Sequence, residues 1–248
     1  PLCVLAAVSP TDCFEMAFQA CRIAIEHMTP VILLTDAFIG NGSSAWRVPE
    51  ADDYPAIKAP FVSPEQLERG WRPFDRDSET FARYWAIPGM EKGMHRVGGL
   101  EKDFNTSVIS TDGANHARMV EARRQKVARI ARDVPRMEPM FDSEDCDTIL
   151  LGWGGTYGHL LTAAQTLNAE GHKVAFWQFR YINPLPANAI ECLGKYKRII
   201  VAELNTGMFA DYLQMHLPGK EVLRINKIEG QPFLVTEVVE GVKKHMKV

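Results

Sequence analysis

The chain has 248 residues, of which 46% are apolar, 24% charged and 9% aromatic, which is typical of a globular protein with one large or two medium domains. Its 28 Lys and Arg residues against 31 Asp and Glu residues give a net charge of −3, so no global basic field attracts nucleic acid. No apolar run reaches the roughly 18 to 20 residues that span a bilayer, and we predict a cytoplasmic protein without membrane or nucleic-acid partners.

The first elements form a strand, a helix and a second strand. Val4–Val8 is a short apolar run, and Ser9 and Pro10 are typical of the cap and first position of a helix. A helical apolar stripe follows and ends near Pro30, after which Val31–Leu34 is continuously apolar. Such an order predicts parallel pairing of the two strands with a right-handed crossover.

The middle of the chain has a different character. Asn41–Asn115 is rich in Pro, Gly and charge and shows no sustained period, so we expect an interdomain excursion or a surface that packs on something else. His116–Arg136 has a helical pattern with a local charge of about +5, from seven basic residues against Glu121 and Asp133. A surface that faces a partner or a phosphate and an ordinary solvated helix face both explain this charge.

The second half of the chain alternates regularly between strands and helices. The predicted strands are Asp147–Leu151, Val174–Phe179, Arg198–Val201 and Val222–Ile225. The predicted helices are Tyr157–Glu170, Ala187–Leu193, Gly207–His216 and Leu234–Lys247. This alternation predicts a doubly wound α/β domain with a parallel sheet.

A glycine-rich loop joins the first of these strands to its helix. Gly154, Gly155 and Thr156 lie at the point where helix N–H groups can receive an anion, but the spacing is neither G-x-G-x-x-G nor a P-loop. Phosphate binding and a simple tight turn with Thr156 as the helix cap both fit. The Arg180–Pro186 segment, which contains two prolines, is interpreted as a fixed extended turn.

Polar residues follow two of the predicted strands. Asp36 and Asn41 come after one strand, and Glu203 and Asn205 come after another, at the carboxyl ends where parallel sheets place their ligands. These four, with Gly154, Gly155 and Thr156, are our candidate cofactor-binding residues. The seven histidines and five scattered cysteines show no metal-binding spacing, and no G-x-S-x-G elbow is present, so no metal ligand or catalytic residue is assigned.

Several segments together resemble the α subunit of the 2-oxoacid:ferredoxin oxidoreductases of the 2-oxoglutarate type, along essentially the whole chain. The matching segments are Ser9–Phe14, Thr29–Asp36, Asn41–Ser43, Gly99–Asp103, His116–Val120, Arg180–Pro186, Glu203–Asn205, Asn226–Lys227 and Gly230–Phe233. One departure is Lys102, where the family usually has a histidine after Gly-Leu-Glu.

The resemblance implies an enzyme complex that decarboxylates a 2-oxo acid on thiamine diphosphate, passes electrons through iron–sulfur clusters to ferredoxin and transfers the acyl group to coenzyme A. It implies three regions: the tail of a pyrimidine-binding thiamine domain (1–48), an irregular excursion with a basic linker helix (49–140), and a transketolase C-terminal-like domain (141–248). In this family a β subunit holds the diphosphate and its Mg²⁺, and partner subunits hold the clusters. We therefore expect an oligomeric complex and no cofactor bound to this chain alone.

The family's activating glutamate and its substrate-carboxylate arginine map upstream of the first strand, so neither corresponds to a residue here. We expect the 248 residues to be a fragment that is inactive on its own. Two alternatives stay open at this point: a nucleotide- or coenzyme-binding module that uses the glycine-rich loop, and an assembly scaffold that uses the basic helix.

Overall fold

The computed structural model describes residues 1–247. The strands are β1 (Cys3–Ala6), β2 (Val31–Leu34), β3 (Thr148–Trp153), β4 (Val174–Phe179), β5 (Tyr181–Asn183), β6 (Arg198–Glu203) and β7 (Val222–Asn226). The α-helices are α1 (Asp12–Glu26), α2 (Ala37–Asn41), α3 (Pro64–Glu68), α4 (Gly113–Ile130), α5 (Tyr157–Ala169), α6 (Ala189–Gly194), α7 (Met208–His216) and α8 (Val235–Met246). Among these residues, no helix has the length and apolarity needed to cross a membrane.

Two compact units make up the chain. The first unit comprises Pro1–Val4, Ala17–Ile32 and Arg47–Asp133. The second unit comprises Leu5–Met16, Leu33–Trp46 and the chain from Val134 onward. The predicted boundaries after residues 48 and 140 stay a prediction.

A parallel four-stranded sheet in the order β4-β3-β6-β7 is the centre of the second unit. Successive side chains of a strand point to opposite faces, and both faces of this sheet are apolar. One buried cluster joins Leu150 and Ile200 to apolar residues of α5 and α8, and the other joins Leu151 and Val201 to those of α6 and α7. This two-sided covering is the predicted doubly wound α/β arrangement.

A three-stranded sheet in the order β2-β1-β5 contains the first two strands. The Ala6 N–H donates to Arg180 O at 2.8 Å, and the Ala7 N–H donates to Leu34 O at 3.1 Å. Strand β5 lies in the segment interpreted as an extended turn, so that interpretation was incomplete: the segment also pairs with β1. The helix predicted to start at Pro10 begins at Asp12, after a turn over residues 10–11. Ser9 Oγ accepts from the Asp12 N–H at 3.1 Å, which is the bond expected of the predicted capping serine.

The first unit contains most of the stretch in which the sequence shows no sustained helical or strand period. Helix α4 buries Met119, Ala122, Val127 and Ile130. Trp85 donates its indole N–H to Ile25 O at 2.9 Å, and its carbonyl accepts from the Val62 N–H at 3.0 Å. Lys102 is 3% exposed, and its ammonium donates to the carbonyls of Gly98 and Leu100. The Trp85 and Lys102 side chains thus stabilise loops of the first unit by hydrogen bonds to backbone carbonyls.

Candidate functional site

A cavity of about 780 Å³ lies at the carboxyl ends of β3 and β6 in the second unit. Strand β3 has β4 on one side and β6 on the other, so the chain reverses its direction of winding between β3 and β6. Open α/β sheets bind ligands at such a switch point. The cavity includes Trp153 and Gly154 after β3, and Leu204 and Asn205 after β6.

Asp36 joins two loops at this cavity. Its Oδ1 accepts from the Ile39 N–H at 2.9 Å and caps α2, and its Oδ2 accepts from the Gly155 N–H at 3.0 Å. A Cβ on Gly155 would lie 2.3 Å from Asp36 Oδ2, closer than any real contact. The glycine is therefore required for the carboxylate to approach the backbone.

The glycine-rich loop forms a short 3₁₀ turn over Gly154–Thr156 before α5. Thr156 occupies the N-cap position of α5 as predicted, but its side chain makes no capping hydrogen bond and instead donates from Oγ1 to Trp153 O at 2.8 Å. Gln178, which we did not predict, donates to Gly154 O at 3.0 Å and to Thr156 Oγ1 at 3.2 Å. Its position as the one polar residue in the apolar β4 run is the signal that could have identified it.

Glu203 is fully buried and organises the other side of the cavity. Its Oε1 accepts from the Ala210 N–H at 3.0 Å, and its Oε2 accepts from the Phe209 N–H at 3.1 Å. The same Oε2 accepts from Trp153 Nε1 at 3.2 Å and from Asn205 Nδ2 at 2.8 Å. A buried carboxylate needs such partners, and the N-terminus of α7 supplies two of them.

The amide of Asn205 also makes hydrogen bonds through both its oxygen and its nitrogen. Its Oδ1 accepts from the Gly207 N–H at 2.8 Å and the Met208 N–H at 2.9 Å, where Gly207 has a left-handed φ of +103°. Asn41 is exposed, donates to Ala37 O at 2.8 Å and lies outside the cavity lining. Of the predicted residues, the cavity wall includes Asp36, Gly154, Thr156 and Asn205, with Gly155 and Glu203 bonded directly behind it.

Most of the rest of the wall is aromatic or apolar and was not predicted. Trp153, Phe209 and Tyr212 face the cavity, and Tyr212 donates to Asn183 Oδ1 at 2.9 Å. Burial raises the pKa of Tyr212. Lys227 also faces it, but its ammonium is held by both oxygens of Glu237 at 2.8 Å. This pairing lowers the pKa of Glu237.

The arrangement suits binding better than proton transfer. The carboxylates of Asp36 and Glu203 both accept hydrogen bonds from structural N–H donors. Between residues 1 and 247, no three His, Cys, Asp or Glu side chains are placed to share a metal ion. What the cavity offers a ligand is a mostly apolar wall with a few polar groups, which is the usual make-up of a small-molecule pocket.

Two protein-family models match the chain. Residues 1–105 match the thiamine diphosphate-binding model of pyruvate flavodoxin/ferredoxin oxidoreductases, and residues 140–210 match the transketolase C-terminal domain. These matches confirm the predicted resemblance to the α subunits of the 2-oxoacid:ferredoxin oxidoreductases.

Individual relatives agree with this class. The chain is 41% identical over 241 residues to the 2-oxoglutarate oxidoreductase subunit KorA of Mycobacterium tuberculosis, covering 96% of this chain and 36% of that subunit. It is 26% identical to subunit alpha of the 2-oxoacid:ferredoxin oxidoreductase 1 of Aeropyrum pernix, covering 98% of this chain and 38% of that subunit. The chain thus spans well under half the length of these relatives.

A solved structure shows the same fold. The 2-oxoglutarate:ferredoxin oxidoreductase from Magnetococcus marinus, solved with 2-oxoglutarate, coenzyme A and succinyl-CoA bound, superimposes with a TM-score of 0.87 at 24% identity. The match covers 99% of this chain and 42% of that one. It confirms the predicted α/β fold class.

Proposed function

We propose that this chain is part of the α subunit of a thiamine-diphosphate-dependent 2-oxoacid:ferredoxin oxidoreductase whose substrate is 2-oxoglutarate. The reaction is oxidative decarboxylation of the 2-oxo acid to an acyl-CoA and CO₂, with two electrons passed to ferredoxin in the cytoplasm. The observation that carries this proposal is the 41% identity to the M. tuberculosis 2-oxoglutarate oxidoreductase subunit over 96% of the chain.

We infer that the thiamine diphosphate site is completed by residues outside this chain. The cofactor needs a carboxylate on its pyrimidine ring and a metal-bound diphosphate, because the ring must reach its imino form before the cofactor can act as an electron sink. The two carboxylates at the cavity, Asp36 and Glu203, each accept hydrogen bonds from protein N–H groups, and within residues 1–247 no three His, Cys, Asp or Glu side chains are placed to share a metal ion.

The proposal places the rest of the machinery outside this chain. A β subunit holds thiamine diphosphate with Mg²⁺, sharing the cofactor with the α subunit in the assembled complex. Coenzyme A and the iron–sulfur clusters bind through partner subunits, and ferredoxin receives the electrons. The chain contributes the doubly wound domain and the loops that surround its cavity.

The alternative of an anion site in the glycine-rich loop loses support from one contact. The Gly155 N–H, which a phosphate would use, already donates to the Asp36 carboxylate at 3.0 Å. A phosphate on this loop would have to displace that carboxylate and would be repelled by its charge. The loop is better explained as a structural junction.

Co-production of the full-length α subunit with its β subunit tests the proposed activity. Reduction of methyl viologen is measured with 2-oxoglutarate, and pyruvate and 2-oxoisovalerate serve as competing substrates. We expect reduction that requires 2-oxoglutarate and coenzyme A, and none from residues 1–248 alone. Absence of reduction with every 2-oxo acid would contradict the proposal, whereas reduction with pyruvate only would keep the enzyme class and replace the substrate.

A further inference from the structure

A second, smaller cavity lies in the first unit, remote in sequence from the β3 and β6 loops. It has a volume of about 190 Å³ and is lined by Phe74, Arg76, Phe81, Arg83, Met119, Ala122, Arg123 and Lys126. Four of these eight residues are cationic and none is acidic. We refer to it as the basic pocket.

The cations of the basic pocket repel one another. Burial, followed by the charges of Arg83 and Arg123, lowers the pKa of Arg76 to about 10. Burial, followed by the charges of Arg83 and Arg76, lowers the pKa of Lys126 to about 8. Gathering like charges in a partly dehydrated site is costly unless an anion compensates them.

Two of the lining side chains, Arg83 and Lys126, have hydrogen-bond donors without a partner within residues 1–247. The Arg83 guanidinium lies 4.3 Å from the centre of the Phe74 ring and, within residues 1–247, makes neither a hydrogen bond nor an ion pair. Lys126 uses one donor, to Met28 O at 2.8 Å, out of the three an ammonium carries. Arg76, by contrast, is committed to Phe74 O at 2.9 Å and Phe104 O at 2.7 Å.

The nearest carboxylates are engaged elsewhere. Glu101 accepts from His116 at 3.0 Å and from Arg123 at 3.1 Å, and Glu121 pairs with Arg124 at 2.7 Å. Asp75 pairs with Arg72 at 3.0 Å, and Asp77 accepts from the Thr80 N–H at 2.8 Å. Of these acids, only Glu101 touches a lining cation, and it does so at Arg123, whose side chain is 47% exposed. Within residues 1–247, Arg83 and Lys126 have no carboxylate partner.

We propose that the basic pocket binds a phosphate group, with the Arg83 fork and the Lys126 ammonium as its main ligands. Arginine matches phosphate oxygens with paired N–H donors, and lysine adds a compact charge. A volume of about 190 Å³ equals that of roughly six water molecules, which admits a phosphate group. It is below the roughly 300 Å³ at which pockets for whole organic ligands begin. The phosphate is either free or the end of a larger ligand that extends outside.

Calorimetry on the full-length α subunit in complex with its β subunit tests this site, with inorganic phosphate as the probe in a phosphate-free buffer. The variant Arg83→Gln removes the free guanidinium, and Arg124→Gln removes an equal charge from helix α4, outside the pocket lining. We expect Arg83→Gln to weaken a saturable phosphate site at least tenfold and Arg124→Gln to change it less than twofold. Arg83→Lys, which keeps the charge and loses the fork, should fall between wild type and Arg83→Gln.

Two further probes, AMP and succinate, complete the test. AMP, as a phosphate monoester, distinguishes the sources: tighter binding than inorganic phosphate supports a larger ligand, and equal binding supports free phosphate. Equal binding of succinate, or equal losses in Arg83→Gln and Arg124→Gln, would overturn the assignment. If Arg83→Gln fails to fold, the Arg83→Lys variant decides, because loss of the guanidinium fork should still weaken phosphate binding. Binding as tight as that of wild type in Arg83→Lys would overturn the proposal.

Discussion

The Gly155 N–H donates to the carboxylate of Asp36 at 3.0 Å across 119 residues of sequence. Asp36 lies in the segment that matches the thiamine diphosphate-binding model, and Gly155 lies in the segment that matches the transketolase C-terminal model. Both residues belong to one compact unit. A single hydrogen bond thus connects the loop after β2 to the loop after β3 and closes one side of the cavity.

Asp36→Ala tests the strength of this connection. The change removes the cap of α2 and leaves the buried Gly155 N–H without a partner. Loss of a cap costs about 1 kcal/mol, and an unsatisfied buried donor costs about 1–3 kcal/mol. We expect urea denaturation to show a fall of about 2–4 kcal/mol in the free energy of unfolding.

Asn41→Ala is the matched control for Asp36→Ala. Asn41 lies at the exposed end of the same short helix and donates only to Ala37 O at 2.8 Å. Its replacement should change the free energy of unfolding by less than about 0.5 kcal/mol. Equal losses in the two variants would mean that the Asp36–Gly155 bond adds nothing to stability.

Gly155→Ala should destabilise the protein for a steric reason. The new Cβ would lie 2.3 Å and 2.7 Å from the two Asp36 oxygens, so the carboxylate has to move. A loss of about 1–3 kcal/mol is expected from such overpacking. In Gly158→Ala the Cβ meets nothing within 4 Å and sits in α5, so thermal denaturation should show an unchanged or slightly higher midpoint.

The double variant separates steric conflict from other effects of Gly155→Ala. With Asp36→Ala already present, the carboxylate oxygens that the new Cβ would meet are gone. We expect the combined loss to be at least about 0.5 kcal/mol smaller than the sum of the single losses, because the two residues touch. Strict additivity would show that the Gly155→Ala loss arises elsewhere.

Glu203→Gln tests the buried carboxylate on the other side of the cavity. The four donors that surround Glu203 leave no acceptor for the new NH₂ group, which would face an N–H or be left unpaired. Breaking one member of such a buried charged network costs about 3 kcal/mol. The measurement is chemical denaturation, with tryptophan fluorescence reporting the environment of Trp153.

Glu240→Gln supplies the comparison for Glu203→Gln. Glu240 lies on the exposed face of α8, so the same chemical change there should stay within about 0.5 kcal/mol of wild type. A Glu203→Gln protein as stable as Glu240→Gln would mean that the surrounding donors are satisfied equally well by an amide.

The elements of the four-stranded sheet could be predicted because their signal is local. Val174–Phe179 was predicted with its observed bounds, and α5 was predicted within one residue. Both are buried against apolar neighbours, so their sequence pattern follows the period of the structure. Strand β5 (Tyr181–Asn183) has three residues and is a strand because it pairs with β1 (Cys3–Ala6), which lies in a distant part of the sequence. No local sequence pattern records such a pairing.

The candidate site was predictable in position and not in detail. Polar residues after parallel strands pointed to the correct sheet edge, and Asp36 and Asn205 do reach one cavity. The partner of Asp36 lies 119 residues away, and Lys227 and Tyr212 enter the wall from other elements. The charge of helix α4 was visible in the sequence, but the basic pocket also needs Arg76 and Arg83 from a stretch without any period.

Because of Lys126, we expect the free energy of unfolding to increase as the pH rises above about 8. Its pKa is lowered to about 8 in the folded state, mainly by burial and then by Arg83, while the unfolded chain has the ordinary value near 10.5. Between these two values the unfolded state binds more protons, so the free energy of unfolding contributed by this group increases with pH. The unfavourable contribution is fully present below pH 8 and is relieved as the pH approaches 10.5.

Lys126→Met isolates this effect from other groups that titrate in the same range, among them Cys3, whose burial raises its pKa to about 11. The measured quantity is the free energy of unfolding of wild type minus that of the variant, from urea denaturation at intervals from pH 7 to pH 10.5. We expect the difference to be constant near pH 7 and to increase above pH 8. A difference that stays constant throughout would show that Lys126 titrates alike in the folded and unfolded states, and that the basic pocket imposes no electrostatic cost on it.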